Sequence, residues 1–405
     1  MPTLVRIALR NLLRHRRRTL LVLLAIALGV AAVVGVRGFL NGLQSSLVLG
    51  FAQGTIGALQ VHRRGFMQSV DMAPLSPSID LSADILARIE AVDGVRATAP
   101  RIAFAGMAAV NDESALAIIV AVDRERELAV SPKRKDHVVT GAWLPSPAAS
   151  LMGMELARSL GARAPSTQVA LLSNDVDGVM NAIDTTLAGT LAAPTQGEKK
   201  LVLIPLLAGQ ELLRMPEQAT EIAVGVHELS DVDAVAARVR QAIGTDYEVH
   251  TWQQLAAVAK DIVETQNSAL GIVTTIFLFV ILMGLANALL TSVLERVREI
   301  GTMLAVGVRR RQVLAMFVIE AALLGVVGAV LGCAVGSAIV LALAREGVDF
   351  ITPGASMAQH LVPFVEVSFL ARMVALCTGG AVVASLWPAW RASRLRPVEA
   401  LASPS

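Results

Sequence analysis

The sequence predicts an α-helical membrane protein with four transmembrane helices, and a large α/β extracytoplasmic domain of two subdomains inserted between helices 1 and 2. Uncharged runs occupy Thr19–Val36, Thr265–Leu294, Ala321–Ala344 and Met373–Trp390. Each is near or above the ~18–20 residues that cross a bilayer as a helix. In lipid the backbone must satisfy its own hydrogen bonds, and a helix does so. The long block between the first two runs instead mixes charges with helix and strand signals. Composition agrees: 54% of the 405 residues are hydrophobic and 17% charged, whereas soluble domains are about 45–50% apolar.

Residues 1–18 come first and carry six arginines and no acid. Val5, Leu9, Leu12 and Leu13 share one helical face, with Arg6, Arg10, Arg14 and Arg17 on another, so 3–17 reads as an amphipathic helix in the headgroup layer. It serves either as an anchor or as a partner-binding element. Nucleic acid is not the expected ligand, because the basic run abuts a membrane span and no aromatic platform accompanies it. The span after it reads as a retained helix rather than a cleaved signal, since it is long and no clear small-x-small cleavage site follows it before Arg37.

Helix 1 is placed at 19–43 and is expected to extend outward as a stalk, because 38–61 carries no charge. The outer domain covers 44–264. In it, Ala58–His62 reads as a strand, and Ser82–Val92 as a helix with Ser82 as N-cap and Gly94 as stop. Val95–Val110 and Ser114–Val122 read as a strand pair around Asn111-Asp112-Glu113. Asp231–Ile243 is a helix and Tyr247–His250 a strand. One subdomain is expected from both ends of the block, with an inserted one at about 125–215 that includes a helix at Met152–Leu160. Trp252–Asn267 keeps helical spacing and leads into helix 2 at 265–294. A coupling loop at 295–312, helix 3 at 313–344, a short outer loop at 345–368, helix 4 at 369–390 and a tail at 391–405 complete the chain.

Arginine placement orients it. The segments 1–18, 295–312 and 391–405 hold six, five and three arginines, while 345–372 holds two against three acids. Positive flanks stay inside. The expectation is a multi-pass protein of the bacterial inner membrane, with both termini cytoplasmic and the large domain periplasmic.

Catalytic and metal signatures are lacking. No G-x-x-x-x-G-K-[ST] phosphate loop, H-E-x-x-H or zinc-spaced Cys/His cluster occurs, and the six histidines are scattered. Ser173–Gly178 has some character of a calcium loop but no correctly spaced Glu, so a polar turn is the better reading. Cys333 and Cys377 lie in membrane spans and read as small apolar residues. In helix 3, Gly325, Gly328, Gly332 and Gly336 share a stripe that permits close helix packing. Glu320 has two readings, a functional intramembrane acid or a structural partner of an inner-loop arginine or amide.

The stretch L-E-R-V-R-E-I-G-T-M-L-A-V-G-V, 294–308, followed by Arg309–Gln312, is the most informative. Glu295, Arg296, Arg298, Glu299, Ile300, Gly301, Ala305 and Gly307 read as a short amphipathic helix between two membrane helices, suited to a groove on a soluble partner. The rival reading is a solvated loop of positive-inside arginines. With Asn287 before it, Phe317 and Glu320 after it, P-A-W-R-A at 388–392 and R-P-V-E-A-L at 396–401, it resembles the permease family that includes MacB, LolC, LolE and FtsX. That resemblance implies a non-enzymatic permease subunit working by mechanotransmission. It implies no cofactor bound directly, ATP and Mg residing on a separate ABC ATPase docked at 295–312, and a second permease chain, identical or a paralogue.

Within the domain, Val122–Glu127, Thr140–Leu144 and Gly153–Ala157 resemble the LolC/LolE type. The resemblance implies extraction of lipoproteins or a similar amphiphile from the outer leaflet toward a periplasmic carrier. Phe39, Leu40, Leu47, Ile276 and Phe277 are the candidate cavity lining, with lipid-facing or helix-packing roles as the alternative. Two other outputs stay open: FtsX-like activation of an envelope enzyme, and MacB-like efflux of a periplasmic small molecule or peptide.

Overall fold

The computed structural model describes residues 10, 14, 16–66, 75–82, 84–193, 197–351 and 358–393. Most of the amphipathic segment 3–17 and the R-P-V-E-A-L ending at 396–401 lie outside the described residues. The chain forms two compact units. One comprises 1–44, 263–348 and 361–405, and the other 45–262 and 349–360.

Among the described residues, four helices are long and apolar enough to cross a membrane. The first is Arg16–Gly50. At 35 residues it is about 52 Å long, against a hydrocarbon core of ~30 Å. The second, Ala257–Glu295, starts well before the sequence-based bound at 265. Just ahead of it, Thr251 caps a single turn, Trp252–Leu255, in a capping box with Gln254. The third is Arg310–Glu346 and the fourth Val367–Ser393, which carries Pro388 within it. Ile26, Val30, Val33 and Val34 of the first helix pack with Ala329 and Cys333 of the third and Met373 and Cys377 of the fourth. Both cysteines are free and buried.

The coupling loop contains the short amphipathic helix expected there, Val297–Ala305. One feature between these helices was not expected: the short loop after the third helix holds two strands that pair with each other, Val348–Ile351 and Ala358–Leu361.

The larger unit is α/β. Its strands are β1 (Leu59–Arg63), β2 (Ile79–Asp80), β3 (Val95–Val110), β4 (Glu113–Val122), β5 (Val138–Gly141), β6 (Ala149–Gly153), β7 (Gln168–Asn174), β8 (Met180–Leu191), β9 (Leu201–Pro205), β10 (Gln218–Ala219), β11 (Glu221–Val226) and β12 (Tyr247–Thr251). Ten of them form one sheet in the order β12-β1-β11-β3-β4-β9-β6-β8-β5, with β7 bridging β3 and β8. The pairings are antiparallel except β4 with β9 and β6 with β8. Asn111, at φ 53°, makes the tight β3–β4 turn in the left-handed region that Asn tolerates.

Two large cores dominate this unit, beside smaller ones around Leu144, Leu151 and Leu203 and around Ala99 and Ala223. Leu59 and Val61, Ile222 and Val224, Ile85 and Ile89, and Val235 and Val239 build the first from both ends of the block. Ile102, Phe104, Ile119, Met152, Val169, Leu171, Val202 and Leu212 build the second. The subdomain boundary therefore falls inside β3, whose start pairs with β11 and whose end pairs with β7, rather than at 125. A long twisted strand can serve two cores, and alternation alone does not reveal the handover.

Two local expectations need correction. The helix near 82–92 is Ile85–Glu90 with Asp84 at its start, because the Ser82 hydroxyl donates to Asp80 (2.6 Å) instead of capping. Met152 belongs to β6, and the helix that follows is Met154–Ser159.

Candidate functional site

The helix Val297–Ala305 is set by its two ends. Gly307, at φ +96°, closes it: the Gly307 N–H reaches Leu304 O (3.1 Å) and the Val308 N–H reaches Met303 O (3.0 Å). That is a Schellman ending, and a residue with a Cβ would be strained there. The third helix begins at once, with Gln312 Oε1 accepting from the Arg309 N–H (2.9 Å). Ile300 and Gly301 are buried, and Ile300 packs with Val313, Met316, Phe317 and Ala389.

The charged residues of this segment are tied within the chain. Arg18 Nη1 pairs with Glu295 Oε2 at 3.1 Å, and Arg14 Nη1 with Glu299 Oε1 at 3.1 Å. Arg296 is buried, lies 3.0 Å from Glu299 and 3.8 Å from Glu320, and so supplies Glu320 with its inner-loop arginine. Arg298, Ala305 and Gly307 are exposed, as are Thr302 and Arg309–Arg311. Val306 is 87% exposed. The outward edge is thus apolar and basic. Glu295 and Glu299, two of the acids singled out in the sequence, pair here with Arg18 and Arg14 of the N-terminal segment. Ion pairs nearly three hundred residues apart leave no local signal.

The helix-3 glycines receive side chains from two different helices. A Cβ on Gly328 would lie 2.7 Å from Ile26 Cγ2, one on Gly332 2.6 Å from Val30 Cβ, and one on Gly336 2.8 Å from Val34 Cβ. Gly325 faces the fourth helix, where a Cβ would lie 2.9 Å from Ala381 Cβ. The seam with the first helix then reverses polarity, for Val340 fills the space at Gly38. Phe39 and Leu40 are half-buried on the first helix, and Ile276 and Phe277 are exposed on the second. Phe39, Leu40, Ile276 and Phe277 belong to one unit and Leu47 to the other.

In the α/β unit, two of the singled-out elements lock together. Asp123 caps Arg124–Val130, accepting from Glu125 and Arg126. Trp143 Nε1 donates to Arg124 O (3.0 Å), and Arg124 Nη1 donates to Leu144 O (3.2 Å). Gly141, at φ +82°, has no room for a Cβ against the Ala188 carbonyl. Asp175 accepts from the Asp177 and Val179 N–H groups, so 173–178 is a polar turn. No metal-capable cluster occurs among the described residues.

Sequence reasoning missed a buried charge cluster in this unit. Arg101, 2% exposed, and Glu127, fully buried, form a two-pronged pair (2.8 and 2.7 Å), and Arg134 joins Glu127. Burial alone would raise the Glu127 carboxyl, but Arg101 and Arg134 outweigh it and hold it below the usual carboxylate range. Burial likewise opposes the Arg101 charge, and Glu127 and Glu221 more than restore it. Nearby, burial and then Arg134 push His137 down to about 4. Burial raises the Glu198 carboxyl, even though the Thr55 hydroxyl donates to it (2.7 Å). The signal in the sequence was Arg101 at the head of the uncharged run Ile102–Val110 of β3.

Comparison with known proteins places both units. The MacB-like periplasmic core domain family matches residues 19–242, and the FtsX-like permease C-terminal family matches 271–397. A macrolide export ATP-binding/permease protein MacB of Azoarcus sp. (strain BH72) is 29% identical, covering 98% of this chain and 59% of that protein. One from Marinobacter nauticus is 27% identical, covering 98% and 60%. The chain thus spans about 60% of the length of these relatives. The solved periplasmic region of MacB from Actinobacillus actinomycetemcomitans aligns with 50% of this chain and 92% of its own, at TM-score 0.36 and 9% identity.

Proposed function

Because the chain belongs to the family of ABC transporter permeases that join a MacB-like periplasmic core to an FtsX-like C-terminal region, we propose that it is the membrane subunit of an ATP-driven machine. ATP and Mg reside on a separate ATPase that docks on the 297–312 segment, and this chain carries out no catalysis of its own. Two permease chains pair in the membrane. The observation that carries this reading is the helix Val297–Ala305, seated through Ile300 on the third and fourth membrane helices with Arg298, Val306 and Arg309–Arg311 turned outward. A small basic and apolar edge, rigidly continuous with two membrane helices, is suited to receive motion from a soluble partner and pass it on. Arg18–Glu295 and Arg14–Glu299 extend that path to the first helix.

The cargo is an amphiphile taken from the outer leaflet or the periplasm, moved by mechanotransmission through the long first and second helices. The resemblance of Val122–Glu127, Thr140–Leu144 and Gly153–Ala157 to the LolC/LolE type supports a lipoprotein. The full-length similarity to proteins named for macrolide export supports a small-molecule cargo. Gentle-detergent isolation of the chain from its native membrane, with mass spectrometry of bound proteins and lipids, separates the two. Lipidated proteins, with a soluble carrier, support the first. An ATPase with no lipidated cargo supports the second. Recovery of a cell-wall hydrolase in place of cargo contradicts both.

A further inference from the structure

The first long helix does not finish at Gly50. It passes into one wide turn, Phe51–Thr55, in which the Ile56 N–H reaches back to Phe51 O (2.8 Å). Gly57, at φ +92°, then turns the chain toward β1. A helix end leaves carbonyls without helical partners. Here two of them are met by side chains. Arg101 Nη1 donates to Thr55 O (2.8 Å) and Ile56 O (3.0 Å), Arg134 Nη1 donates to Thr55 O (3.2 Å), and Gln60 Nε2 donates to Ile56 O (3.1 Å).

The donors are themselves held. Glu127 binds both arginines, Ser131 Oγ accepts from Arg101 (3.2 Å), and Glu221 lies 3.6 Å from Arg101 while accepting from Gln60. Cations suit the negative end of a helix. Gly54 admits the His137 ring against the same turn, where a Cβ would lie 3.1 Å from Cε1. Buried ion pairs add little net stability over a well-packed apolar core. What they add is direction: bonds to two named carbonyls fix the rotation of the helix end, alongside the apolar packing of Val48, Phe51 and Ala52.

We propose that Arg101 and Arg134 are positioning residues that lock the end of the first membrane helix to the α/β domain, so that the domain turns with the helix. The inference rests on the reading of this chain as a force-transmitting permease. Its sign is loss of rigidity without loss of fold.

The test uses the full chain in lipid nanodiscs, with Cys333→Ala and Cys377→Ala, and spin labels at Ser46→Cys on the helix and Asp112→Cys at the β3–β4 turn. One variant combines Arg101→Met, Glu127→Met, Arg134→Met and Glu221→Gln, so that no buried charge is stranded. A milder one is Arg134→Met, with Arg134→Lys as its conservative counterpart. The distance distribution is expected to widen in both Met variants and to narrow again with Lys, while the unfolding midpoint of the domain stays in place. An unchanged width in folded Arg134→Met overturns the proposal. So does widening that follows a fallen midpoint and is not restored by Lys, since the cluster is then a stabilising device only. If the combined variant does not fold, Arg134→Met decides. A parallel assay of ATP-coupled cargo release, expected to fall while ATP hydrolysis persists, tests the permease reading separately. A wild-type chain inactive there defeats that reading, and the label widths still decide the lock.

Discussion

Val30 of the first membrane helix seats against Gly332 of the third, where a Cβ would stand 2.6 Å from Val30 Cβ and 2.7 Å from the Ala27 carbonyl oxygen. The same contact recurs one helical turn below, at Ile26 and Gly328, and one turn above, at Val34 and Gly336. Both helices advance in the same sense and in equal steps, so this is a continuous seam of knobs on one helix and notches on the other. Small residues allow such close approach in lipid, where no hydrophobic drive brings helices together.

Overpacking this seam is therefore destabilising. Gly332→Leu is expected to cost at least the ~1–3 kcal/mol typical of an overfilled core, and Gly332→Ala less. Val30→Ala should recover part of the Gly332→Ala loss, because the two changes act on one space. Thermal unfolding of the two single variants and the double variant in detergent measures the coupling. Strictly additive losses would sink the seam.

The ion pair Arg18–Glu295 predicts a rescue. Glu295→Lys sets like charges face to face with Arg18 and should reduce ATPase coupling, with little effect on folding, since an exposed pair contributes about 0.2–1 kcal/mol. Adding Arg18→Glu should restore coupling. If Glu295 instead binds the ATPase directly, the restored pair will leave coupling lost.

His137 gives the α/β domain a pH dependence. Its folded value of about 4 lies below the ordinary imidazole value of 6.5, so the folded state binds the proton less readily than the unfolded chain. The associated stability is complete above 6.5, and it declines as pH falls through 6.5 toward 4. The loss is on the order of 3 kcal/mol for a shift of this size. Tryptophan-fluorescence melts of the full chain at pH 7.5 and pH 4.5 should differ less in His137→Gln than in the wild type. An identical pH dependence in both would show that another group is responsible.

The architecture was legible because its signals are local and periodic. Uncharged runs marked the four helices, glycine spacing marked the seam, and Asn111-Asp112 marked the β3–β4 turn. The candidate site was only half legible. E-R-V-R-E-I-G identified the segment, but the tethers to Arg14 and Arg18 join residues far apart in sequence. Arg101 and Glu127 were overlooked for a related reason. A charged residue in a strand reads as exposed, and only the folded sheet brings the compensating partners to it. The strands Val348–Ile351 and Ala358–Leu361 were too short to register against the apolar helices on either side.

Docking on the outward edge of Val297–Ala305 is the central claim, and Val306→Asp tests it most directly. Val306 is 87% exposed, so the change should leave membrane insertion and thermal stability as they are. Wild-type chain isolated in gentle detergent should bring an ABC ATPase with it, and Val306→Asp, alone or with Arg309–Arg311 changed to serine, should bring markedly less. Equal recovery of the ATPase from folded wild type and variants, or none from the wild type, would contradict the account.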